Sequence, residues 1–120
     1  MKRIEAVIRA SKFDDVKEAL QAVNIQFFSY WDVTGVGNDV DNNAKSNGSS
    51  THSTTLIPRM LLTIVVRDHN LQLTVDAILA SAKTGGTGDG KIFVSDLLES
   101  YRIRTGECGN ESLYNKEEEK

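Results

Sequence analysis

In residues 84–94, TGGTGDGKIFV, Gly85, Gly86, Gly88 and Gly90 fall within six positions, with Asp89 among them and Lys91 directly after. Glycine lets the backbone take positive φ and lets a ligand approach the main chain closely. Successive N–H groups in such a turn form an anion-binding concavity. Lys91 adds a positive charge, and Asp89 can either fix the turn or accept a donor from a ligand. The spacing, and the missing Lys-Ser/Thr ending, exclude a P-loop. Two readings stay open for this stretch alone: a structural helix-to-strand turn, or a cradle for phosphates.

A second pair of cations lies downstream. In YRIRTGE, residues 101–107, Arg102 and Arg104 stand two apart, so in an extended segment both guanidinium groups project to the same side. Arginine binds phosphate oxygens bidentately, and two parallel arginines beside a glycine cradle suit a polyphosphate. An edge strand with solvated charges is the plainer alternative. Catalysis has less to work with. Phosphoryl transfer needs a positioned nucleophile or base, and His52 lies in a polar stretch while His69 precedes a helix, neither with a recognisable orienting partner. A single cysteine, Cys108, allows no internal disulfide and no thiolate cluster.

The whole chain narrows the class. Its 120 residues make one domain, 1–120. The net charge of -3 argues against a nucleic-acid partner. Phe27, Phe28, Tyr30 and Trp31 are therefore assigned to core and subunit interface rather than to base stacking. The opening MKRIEAVIR lacks the apolar run of a signal peptide, and MLLTIVV is too short to span a bilayer, so the cytoplasm is the expected compartment.

The elements that must position these residues read as follows. Ile4, Ala6 and Ile8 alternate on a strand over 2–9. Ser11 opens a helix whose apolar stripe is Phe13, Val16, Ala19, Leu20 and Val23. Aromatic and β-branched residues make 26–36 a strand. From 38 to 55, fourteen of eighteen residues are Asn, Asp, Ser, Thr or Gly, too polar to offset the entropy of ordering them. Residues 38–56 are expected to form a flexible loop. A strand over 59–66 follows. A helix capped by Asp68 or Asn70 then buries Leu71, Val75, Ile78, Leu79 and Ala82. After the glycine turn comes a strand through Ile92, Val94 and Leu97, then an extended piece over 101–104. Residues 110–120 form a charged, frayed tail. The order βαββαβ is the α+β ferredoxin-like plan, with two helices on one sheet face. The other face needs cover, which implies oligomerisation. Ferredoxin-like folds also host phosphoryl transfer, so a nucleotide-hydrolysing or phosphoryl-transfer enzyme is the alternative class.

TGGTGDGKIFV followed by RIRTGE resembles the signature of the PII signal-transduction proteins. MKRIEAVIRASKFDDVKEAL, DVTGVG and IPRMLLTIVV also fit that family, so the resemblance covers nearly the whole chain outside the long loop and the tail. It implies a ferredoxin-like homotrimer that binds ADP or ATP between subunits and regulates a transporter or metabolic enzyme through its loop. By this resemblance Gly88, Asp89, Gly90 and Lys91 line the nucleotide site from one subunit, and Arg102 and Arg104 reach the phosphates from the neighbour. Ser29, Gly35, Val36, Gly37 and Val65 pack the base and close the pocket. Arg59 stands where the family has a lysine near the phosphates and 2-oxoglutarate. Asn38, Asp39, Asp41, Lys45 and His52 belong to the partner-docking loop. Asp39 replaces the family's magnesium-ligating glutamine. A carboxylate still suits magnesium, but it repels a dicarboxylate, so nucleotide binding without the usual 2-oxoglutarate sensing is expected. The loop has no tyrosine to uridylylate.

Overall fold

A computed structural model describes residues 1–39 and 53–114. Four antiparallel strands, β1 (Lys2–Arg9), β2 (Ser29–Asp39), β3 (Ser53–Val66) and β4 (Gly90–Asp96), lie in the order β2-β3-β1-β4. Helix α1 (Phe13–Ala22) joins β1 to β2, and α2 (Leu71–Ala82) joins β3 to β4. This is the expected ferredoxin-like plan. Ile4 faces Ile64, and Ala6 faces Leu62, on the two central strands. These four, with Ile8 and Val66, form the sheet side of the core. Val16 and Leu20 from α1, and Ile78 and Ala82 from α2, close it.

Local chemistry differs from expectation at several joints. Ser11 does not cap α1. A 3-10 turn, Ala10–Lys12, leads in instead, and Asp14 and Asp15 sit in the first helical turn, where carboxylates complement the helix dipole. Asn24, at φ 65, ends α1, with Ile25 N–H donating back to the Leu20 carbonyl at 2.9 Å. Neither Asp68 nor Asn70 caps α2 with its side chain. Asp68 instead accepts from the N-terminal ammonium at 2.8 Å. On α2 the buried face is Thr74, Ile78 and Ala82, spaced four apart, while Leu79 is exposed. Thr74 is tolerated there because its hydroxyl donates to the Asn70 carbonyl at 2.6 Å.

The larger correction concerns the polar segment. Asn38 and Asp39 belong to β2, and 53–58 belong to β3, paired from Thr34↔Pro58 to Asp39↔Ser53. Beyond Arg59, β3 has lost its β1 neighbour, since Arg9↔Arg59 is the last pair on that side. Pro58 therefore sits where a missing N–H costs no second ladder bond. The two strands continue as a two-stranded arm. Polarity hides it from a composition argument, because ladder hydrogen bonds do not depend on side-chain hydrophobicity. The rest of the expected loop, including Asp41, Lys45 and His52, lies outside the described residues.

Candidate functional site

Asp89 is the hub of the glycine turn. One carboxylate oxygen accepts from the Thr84 and Gly85 N–H groups at 2.8 and 2.9 Å. The other accepts from the Thr84 hydroxyl and, at 3.0 Å, from Arg9 Nε. The Thr84 hydroxyl, then the Thr84 N–H, with Arg9 and Gly85 adding to them, hold this carboxyl well below the usual carboxylate range. Of the two roles open to Asp89, the geometry serves the fixing of the turn. The glycines follow from the same geometry. Gly85, Gly88 and Gly90 have φ of 89, 100 and 103. A Cβ on Gly90 would lie 1.7 Å from the Val7 carbonyl oxygen, on the strand that β4 pairs with. No other residue fits there.

Two arginines converge on the turn. Arg9 Nη2 donates to the Thr87 carbonyl at 2.9 Å. Arg59 donates to the Gly88 carbonyl, and its side chain runs from Gly35 to Gly88: a Cβ on Gly35 would meet its Nε at 3.1 Å and one on Gly88 its Nη2 at 3.2 Å. Arg9 and Arg59 are opposite each other in the β1–β3 ladder. Like charges facing across strands repel, and here the turn's carbonyl and carboxylate oxygens separate them. Lys91 pairs with Val7 and is exposed. Gly35, Arg59, Gly88, Asp89, Gly90 and Lys91 thus gather at one end of the sheet. The sequence reading missed Arg9, whose only signal is its register with Arg59.

Ser29, Val65 and Arg102 gather elsewhere. They line a hollow of about 530 Å³ together with Phe28 and Tyr114. Ser29 and Gly35 are six residues apart on β2, as are Arg59 and Val65 on β3, a separation of about 20 Å at strand rise. The segment 101–104 is not extended. Tyr101 bridges to Cys108, and Gly106 N–H donates to the Arg102 carbonyl at 2.7 Å, closing a turn. Arg102 is half-buried and Arg104 exposed within that turn, so the two do not project in parallel as strand neighbours would.

Register shows what the two groups share. With Ile4, Ala6, Ile8, Leu62 and Ile64 facing the helices, the alternate residues face away. Ser29, Gly35, Gly37, Arg59, Val65 and Lys91 all have the outward parity, together with Trp31 and Phe93, which are 51% and 55% exposed. Val36 has the opposite parity and does not join them. A Cβ on Gly37 would meet nothing within 4 Å, so packing does not demand that glycine. Asn38 and Asp39 stand in the arm. Among the described residues, no group of three or more His, Cys, Asp or Glu is placed to hold a metal ion. His69 is exposed in the 3-10 turn Asp68–Asn70. No helix among the described residues is long and apolar enough to cross a membrane.

The family model described as Nitrogen regulatory protein P-II matches residues 1–107. Nitrogen regulatory protein P-II 1 of Methanothermobacter thermautotrophicus is 41% identical over 113 residues, covering 94% of this chain and 97% of its own. Nitrogen regulatory protein P-II of Bradyrhizobium diazoefficiens is 40% identical, and that of Rhizobium meliloti 39%, each covering 94% of this chain and 100% of its own.

Proposed function

This chain belongs to the nitrogen regulatory protein P-II family, and on that premise we propose that it is a cytoplasmic, trimeric regulator that binds ADP or ATP in clefts between subunits. The observation that supports this is the split site. The glycine turn with Arg59 and Lys91, and the group of Ser29, Val65 and Arg102, share the open face but lie at opposite ends of it. A ligand held by both needs the second group from another copy, and the half-exposed Trp31 and Phe93 give that copy an apolar face to cover. In the cleft the turn's main chain, Arg59 and Lys91 take phosphate oxygens from one side, and Arg102 and Arg104 from the other. Val65 offers an apolar wall to the base. Asp39 takes the sequence position of the family's magnesium-ligating glutamine, and a carboxylate suits that metal. The nucleotide biases the arm and the loop beyond it between two states, and a transporter or metabolic enzyme reads the difference. Asp39 also disfavours a dicarboxylate, so 2-oxoglutarate is not sensed in the usual way.

Isothermal titration with ADP, ATP and AMP, with and without magnesium and 2-oxoglutarate, tests this. ADP and ATP are expected to bind, and Arg104→Ala to weaken them by about tenfold or more, the loss of one charged hydrogen-bonding group. Micromolar 2-oxoglutarate binding with magnesium and ATP contradicts the role given to Asp39. No binding of any nucleotide contradicts the whole reading.

A further inference from the structure

We infer that residues 109–114 are a strap that holds the Arg102 guanidinium within its own chain and must release it before nucleotide binds; this rests on the nucleotide reading above. The segment begins just past the residues the family model matches, 1–107. Its composition suggests a frayed tail, yet it is tied at both ends. At the near end, Gly109, at φ 72, donates its N–H to the Ser100 carbonyl at 3.0 Å and to Glu99 Oε1 at 2.8 Å. The Ser112 hydroxyl reaches back to the Gly109 carbonyl at 2.7 Å and to the Ser100 hydroxyl at 2.8 Å. The 3-10 turn Gly109–Leu113 brings Ser112, Leu113 and Tyr114 to the wall of the hollow. At the far end, Arg67 lies over the Tyr114 ring, 4.3 Å from its centroid. Leu113 and Tyr114 then line the same hollow as Ser29 and Val65. Arg102 is held by the strap's main chain: its Nη2 donates to the Glu111 carbonyl at 3.2 Å and the Tyr114 carbonyl at 2.5 Å. A guanidinium that donates to these carbonyls has those N–H groups occupied and must give them up to bind a phosphate. Binding exchanges the carbonyls for phosphate oxygens, which accept more strongly because they are charged. A strap closed most of the time lowers the apparent affinity by the fraction of open chains.

The test is titration of ADP into the full chain and into Tyr114→Gly and Arg67→Ala, two changes that loosen the far end from opposite sides while leaving the Arg102 side chain in place. Both variants are expected to bind ADP about three- to tenfold more tightly, and Tyr114→Phe, which keeps the ring under Arg67, to match the parent. Hydrogen exchange supplies a second readout: amides of 109–114 exchange faster at saturating ADP if the strap releases. Equal affinity in the parent and both loosened variants overturns the strap and leaves nucleotide binding standing. Slower exchange at 109–114 on binding overturns it in favour of a lid folded over the ligand. Binding in none of the proteins overturns it together with the nucleotide reading.

Discussion

Asp89 accepts hydrogen bonds from Thr84, Gly85 and Arg9, and its carboxyl is depressed by them. A group whose folded pKa is lowered contributes stability that is full above its unfolded value, about 4, and is lost as pH falls through the folded value. Asp89→Asn is therefore expected to lower the urea midpoint at pH 7, with the gap between the two proteins narrowing as pH drops below about 4. Asp68, also lowered by its bond to the N-terminal ammonium, is present in both proteins and cancels. A gap independent of pH contradicts the assignment. The glycines, Asp89 and Lys91 are legible in sequence because such a cluster is rare in a short span. Arg9 is not legible, since it reads as the last polar residue of an alternating strand. Its closeness to the turn exists only once β1 has paired with both β3 and β4.

Gly90 opens β4 against Ile8 and the Val7 carbonyl, so a side chain there separates the edge strand β4 from the central strand β1. Gly90→Ala is expected to cost roughly 4 kcal/mol or more, in the range of the severe single substitutions. Gly85→Ala, with φ 89 but open space around the added carbon, should cost only the left-handed penalty of about 1–2 kcal/mol. Thermal or urea unfolding of the two variants checks this contrast; equal losses contradict it. Element types were readable because the apolar periods are clean: alternation in β1, and four-residue spacing in both helices. Their ends were not. Ser11, Asp68 and Asn70 are chemically good caps, but 3-10 turns precede both helices, and Asp68 is taken by the chain's own amino terminus. Asn38 and Asp39 look like loop, yet a hairpin ladder enrols them regardless of polarity.

An uncovered sheet face was implied by counting two helices against one sheet, and Trp31 and Phe93 lie exposed on it. Phe93→Glu or Trp31→Glu should leave the chain folded, since neither side chain is in the core, while shifting trimer to monomer in sedimentation. A trimer indifferent to both contradicts the placement of the interface. The separation of the candidate residues into two distant groups was not legible from spacing, because 85–91 and 102–104 are near in sequence and only the sheet separates them. The most direct measurement is complementation between Lys91→Ala and Arg104→Ala. Each alone is expected to bind ADP weakly. Co-assembled at random, three quarters of trimers are mixed and each has one intact cleft in three, so about a quarter of the parent's tight sites should return. A mixture that binds no better than either variant alone would contradict a site shared between copies.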